Sequence, residues 1–131
     1  MTTIESEKVI VNTPADKVFA FLLDINNHQK LMPEQIINWQ STNTTCSFTI
    51  KGTADLALKQ GATSENKSIQ LIPNGKAPFE LDLVWQLEDL KEGTQVQLLL
   101  NAELNMFLKM VAVKPLQNFL NLQAQNLIGQ F

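Results

Sequence analysis

Through the middle of the chain, hydrophobic and polar positions follow a period of two. Cys46, Phe48 and Ile50 alternate with Ser47, Thr49 and Lys51, and Ala54, Leu56 and Leu58 with Asp55, Ala57 and Lys59. The pattern resumes at Phe79, Leu81, Leu83, Trp85 and Leu87, set against Glu80, Asp82, Val84, Gln86 and Glu88. It returns at Val96, Leu98, Leu100 and Ala102, set against Gln97, Leu99 and Asn101. Such alternation predicts an antiparallel sheet with one packed face and one wet face. The gaps carry turn residues: Thr42-Asn43-Thr44, Lys51-Gly52, Ser64-Glu65-Asn66-Lys67, Pro73-Asn74-Gly75 and Glu92-Gly93. Their shortness predicts a meander of sequential neighbours.

The two ends of the chain read differently. Thr3–Asn12 predicts a first strand with Val9-Ile10-Val11 as its β-branched centre. A helix is expected to start at Thr13-Pro14-Ala15-Asp16, with Thr13 capping, Pro14 at the first helical position and Asp16 complementing the dipole. Ala15, Val18, Phe19 and Leu22 give it an apolar face. After a turn at Asp24–Asn27, a second short helix runs through Leu31 and stops before Pro33. Asn105–Phe131 returns to helical spacing, with Phe107, Leu108, Val111, Leu116, Phe119, Leu120, Leu127 and Ile128 on a broad apolar face. At about 1.5 Å per residue it spans roughly 40 Å, enough to cross a sheet, and Pro115 is expected to bend it. The prediction is one α+β domain over residues 1–131: about seven antiparallel strands curved around a long C-terminal helix, two short helices after the first strand, and a cavity where the wrap stays incomplete.

Composition narrows the function classes. The length of 131 residues suffices for one well-filled core. The net charge of -3 comes without any basic run, so the surface that nucleic acid requires is missing. No apolar stretch approaches the roughly 18 residues of a membrane span, and Met1–Glu7 lacks the pattern of a signal peptide. Cys46 stands alone, which rules out an intrachain disulfide. The cytoplasm is the expected location. All ten basic residues are lysines, and there is no Tyr. The chain therefore has no guanidinium clamp for phosphate or carboxylate and no phenol to act as a buried acid.

At the level of motifs, Asn12-Thr13-Pro14-Ala15-Asp16-Lys17-Val18-Phe19-Ala20-Phe21-Leu22-Leu23-Asp24, followed by Leu31-Met32-Pro33-Glu34, resembles the opening of bacterial members of the START-like superfamily, also called SRPBCC or polyketide cyclase-like. The resemblance covers nearly the whole length. It implies a helix-grip fold with a hydrophobic cavity between sheet and C-terminal helix. Family members carry lipids, sterols or hormones, cyclise polyketides, or bind protein partners. This chain departs from catalytic members in having neither Arg nor Tyr. It also lacks the glycine-rich turn of plant members, since its hairpin reads Ser41-Thr42-Asn43-Thr44-Thr45.

Individual candidates follow from position. His28, the one histidine, reads as a solvated turn residue, with a general base at the pocket mouth as the functional alternative. Cys46 lies on the inward parity and reads as a small buried hydrophobe rather than a nucleophile. One His and one Cys cannot supply a metal site, and no cofactor is expected. Glu80 and Asp82 share a strand face that the alternation turns to solvent. The inward sheet set, Phe48, Ile50, Leu56, Leu58, Leu81, Leu83, Trp85, Leu98 and Leu100, is expected to face Val111, Leu116 and Phe119. The expected pocket lining is Phe21, Leu31, Met32, Trp39, Phe48, Leu56, Trp85, Met110 and Phe119; the Met106/Met110 pair fits cavity and core equally well. Together these predict binding or transport of a small hydrophobic ligand, lipid-like or polyketide-like. The competing classes are a protein-interaction or homodimerisation module, for which Val84 and Leu99 are the outward apolar candidates, and a cyclase-like enzyme on a hydrophobic substrate.

Overall fold

The computed structural model describes residues 1–75 and 77–131. Among the described residues, eight strands form one curved, unclosed antiparallel sheet: β1 (Thr2–Glu5), β2 (Val9–Val11), β3 (Ile36–Ser41), β4 (Thr45–Ile50), β5 (Ala54–Ser64), β6 (Ser68–Pro73), β7 (Leu81–Leu90) and β8 (Gly93–Ala102). The order across the sheet is β1-β8-β7-β6-β5-β4-β3, and β2 also pairs with β8. Helix α1 (Ala15–Leu23) and a 3₁₀ helix (Ile25–Leu31) lie between β2 and β3, and helix α2 (Met106–Ile128) ends the chain. The architecture is α+β.

The expected first strand is two strands, and Ser6 is the reason. Its N–H donates to Leu98 O at 2.8 Å, while its Oγ accepts the Leu98 N–H at 2.9 Å. A side-chain oxygen thus stands in for a main-chain carbonyl and interrupts the ladder. Downstream the meander holds from β3 to β8. The register is the one the alternation demands: Leu83 pairs with Leu100 and Trp85 with Leu98, while Glu80 is exposed and Asp82 half-buried on the other face. A slip of one residue would have exposed every inward side chain. All nine inward sheet positions are buried.

Both helical regions depart from expectation in detail. Thr13 does not cap α1; Pro14 occupies that position without a side-chain bond, and the Thr13 carbonyl instead accepts from Thr94 Oγ1 at 2.7 Å. Helix α2 runs uninterrupted through Pro115. It buries Ala112, Leu116, Phe119, Leu120, Gln123, Ala124 and Leu127, one stripe at 3.6-residue spacing. This stripe packs on β1, β2, β8 and the 3₁₀ helix, and Phe119 reaches Phe48 on β4, with ring centroids 5.8 Å apart. Val111, expected to face the sheet, is 52% exposed. Its angular position with Phe107 lies off the stripe that the sheet covers.

Candidate functional site

The interior between sheet and α2 encloses a cavity lined by His28, Met32, Trp39, Cys46, Phe48, Leu58, Leu71, Leu83, Trp85, Leu98, Phe119 and Gln123. Its volume is about 10 Å³, room for about one water molecule. Larger grooves, such as one of about 660 Å³ beside Asp16, Glu65, Lys67, Glu88 and Asp89, lie on the charged exterior. Pro14, Ala15 and Leu87 give that groove an apolar part, and five charged side chains and Asn66 make up the rest of its wall.

Each part of the enclosed site has a local origin. A 3₁₀ helix repeats every three residues, so Ile25, His28 and Leu31 fall on one face and are buried together. His28, expected in a solvated turn, is therefore only 1% exposed. Its Nε2–H donates to the Leu22 carbonyl at 2.7 Å. A carbonyl only accepts, so the neutral ring carries its proton on Nε2 and leaves a lone pair on Nδ1. The ring meets Trp85 edge-on, with centroids 6.1 Å apart. From the sheet edge inward, Trp39 stacks on Phe48 at 5.4 Å, and Phe48 tilts against Phe119. Trp39 sits just after Asn38, whose φ of 58° breaks the β3–β4 register. Its indole N–H donates to Ser41 Oγ at 3.0 Å, and that hydroxyl donates to Asn26 Oδ1 at 2.7 Å. Half-buried Met32 and Trp39 thus close the cavity toward the edge strand.

Of the nine expected lining residues, Met32, Trp39, Phe48, Trp85 and Phe119 meet at this cavity. Leu31 and Leu56 are buried in the core without lining it, Leu56 lying opposite Phe48 on β5. Phe21 is half-buried outside it, edge-on to Phe131 at 5.3 Å and under the Lys30 ammonium. Met110 is 84% exposed on the first turns of α2, and Met106 is equally bare. These turns precede the buried stripe, which begins only at Ala112. Three lining residues, Leu71, Gln123 and His28, escaped the sequence reading. Gln123 lies seven residues after Leu116 and four after Phe119, and that spacing alone placed it on the buried stripe. His28 had its signal in the Ile25–His28–Leu31 spacing.

Burial sets the electrostatics. Desolvation lowers the His28 pKa below its ordinary 6.5, against smaller raising effects from the Leu22 hydrogen bond and Asp24. The folded state therefore holds the ring neutral where the unfolded chain would protonate it. Stability from this source is complete above pH 6.5 and is lost as pH falls from there toward the lowered folded value. Thermal scans between pH 7.5 and 5.5 should show a declining Tm, the unfolding free energy falling by up to about 1.4 kcal/mol per pH unit. His28→Gln should flatten that limb; an equally steep limb in the variant would assign the effect to other groups. For Cys46, desolvation first pushes the thiol up to about 12, so it stays protonated and unreactive. Among the described residues no cluster of three or more His, Cys, Asp or Glu is arranged to hold a metal ion. None of their helices is long and apolar enough to cross a membrane.

No family model matches the chain, and none of the curated proteins matches it. Solved structures do. A START superfamily protein from Mycobacterium smegmatis superposes with a TM-score of 0.74 at 15% identity, over 98% of this chain and 95% of that one. The fold is START-like. TTHA0849 from Thermus thermophilus superposes at 0.76 with 14% identity, over 98% of this chain and 96% of its own. The Aha1 dimer from Colwellia psychrerythraea matches at 0.58 with 18% identity, over 92% of this chain and 97% of its own. At such identities the START-like likeness extends to the helix-grip architecture and leaves the ligand open.

Proposed function

We propose that this START-like chain binds or carries a small hydrophobic molecule, lipid-like or polyketide-like, between its sheet and α2. The observation that supports this reading most directly is the enclosed cavity walled by Trp85, Phe48, Phe119 and Trp39 with His28 and Gln123 among them: apolar walls and a few polar groups, the usual composition of a small-molecule site. In the present conformation the cavity is nearly closed, so admission of a ligand requires Met32 and Trp39 to swing outward. Trp39 lies on the irregular edge strand β3 and Met32 just before it. Micromolar affinity corresponds to about 8 kcal/mol, and apolar burial at about 25 cal/mol per Å² has to supply that in addition to the cost of association. A cyclase-like reaction has less support: His28 is one proton-transfer candidate, and no carboxylate among the described residues belongs to the cavity wall.

A second reading, self-association, is favoured by one specific feature. Met106, Phe107, Met110 and Val111 are all exposed on the first two turns of α2, an apolar surface of the kind that docks a second copy. The Aha1 neighbour is described as a dimer. Native mass spectrometry of protein purified from its own cells tests both readings. The binding reading expects a bound small mass that denaturation releases, with a shift in tryptophan emission on its removal. Bare protein, with emission unchanged by extraction, would overturn it; a doubled protein mass would favour self-association.

A further inference from the structure

We propose that Gln123 is the residue that selects the ligand, by donating a hydrogen bond from its side-chain amide to an uncharged oxygen on an otherwise apolar molecule: a ketone, ester, ether or hydroxyl. This rests on the cavity-binding reading and adds the chemical class of the ligand. The argument begins with position. Gln123 is 3% exposed, on a helix stripe otherwise made of Ala112, Leu116, Phe119, Leu120, Ala124 and Leu127. A glutamine there is costly unless its amide is paired.

The other buried polar side chains have partners. Ser6 Oγ donates to Glu7 O and accepts from Leu98 N, Thr94 Oγ1 donates to Thr13 O, and His28 Nε2 donates to Leu22 O. Gln123 Nε2 is the one buried side-chain nitrogen or oxygen without a partner among the described residues. The same residue lines the enclosed cavity opposite aromatic walls. A buried N–H donor calls for an acceptor, and the cavity is where one can arrive.

The surroundings define which acceptor. No lysine among the described residues lines the cavity, so a carboxylate would find no counter-charge among them, which low polarity opposes strongly. The neutral His28 ring has its N–H committed to Leu22, and the Trp39 indole N–H is committed to Ser41. A pure hydrocarbon would leave the Gln123 amide as unpaired as before. The neutral oxygenated molecule satisfies it and still buries its carbon skeleton against Phe48, Trp85 and Phe119.

The test uses two probes of the same shape, acetophenone and α-methylstyrene, which differ in a C=O against a C=CH₂. Titrations followed by ¹H–¹⁵N NMR read the Trp85 indole resonance for occupancy and the Gln123 amide resonances for pairing. Acetophenone should shift the Gln123 amide protons downfield, and α-methylstyrene should not. In Gln123→Met, the preference for the ketone over the olefin should fall about tenfold, the size of one hydrogen bond made or lost. Binding of both probes with no Gln123 response and an unchanged preference would overturn the selection role and leave the cavity reading standing. Absence of any Trp85 response to either probe would overturn the cavity reading, and this inference with it. The amide resonances are read in the wild type, so the result holds even if the variant does not fold.

Discussion

Truncating Phe119 to alanine is expected to lower the unfolding free energy by about 3–5 kcal/mol, and to lower Tm by roughly 10–20 °C for a domain of this size. Phe119 is buried at the centre of the α2 stripe. Its ring meets Phe48 on β4, while the neighbouring turns of α2 pack on β1, β2 and β8. The one side chain therefore ties the helix to the far part of the curved sheet. The ring's removal loses transfer free energy and leaves a void that neighbours fill only in part. Urea unfolding would check this, with the midpoint falling and the slope unchanged. Met110→Ala on the same helix is the internal control, expected within about 0.5 kcal/mol because its side chain lies in water. Equal losses in the two variants would mean that α2 is gripped differently.

The second large effect is expected at Gly93, where β7 turns into β8. Its φ is +146°, and a Cβ built there would lie 2.2 Å from the Val11 carbonyl oxygen. That oxygen belongs to the main chain of β2, which pairs with β8 through Val11 and Thr94, so it cannot retreat without breaking the ladder. Gly93→Ala combines a disfavoured backbone conformation with a backbone clash and should cost about 3 kcal/mol or more. Loss of β2 pairing would appear as fast amide exchange at Val11 and Gln95 before global unfolding. A variant with wild-type Tm and protected amides would show that β2 docks without needing this close approach. Gly52, also at positive φ (+74°), has open space around a built Cβ, so alanine there would test conformation alone.

Strands β4, β5, β7 and β8 were legible in the sequence to the level of single side chains. Alternation is a property of the strand itself: Leu81, Leu83 and Trp85 point one way and Asp82 and Val84 the other, whatever they pack against. Turn chemistry then made neighbours of sequential strands, and the α+β class followed. The motif resemblance reached the same START-like fold by a separate route. Features set by contact between distant segments were hidden. The division of the first strand depends on Ser6 meeting Leu98, ninety-two residues away. The choice of Ala112–Leu127 over Phe107 and Val111 as the buried stripe of α2 depends on where the curved sheet meets the helix, since a helix apolar on more than one side does not state which side is covered. For the same reason Met110 lies in water, while Gln123, a residue whose chemistry argues for the surface, lies inside. The burial of His28 needed a 3₁₀ repeat rather than a turn, and that repeat is stabilised by packing of Ile25 and Leu31. The volume left between sheet and helix depends on how all these side chains fill the interior together. No single stretch of sequence carries that quantity, because close packing is a property of the assembled core.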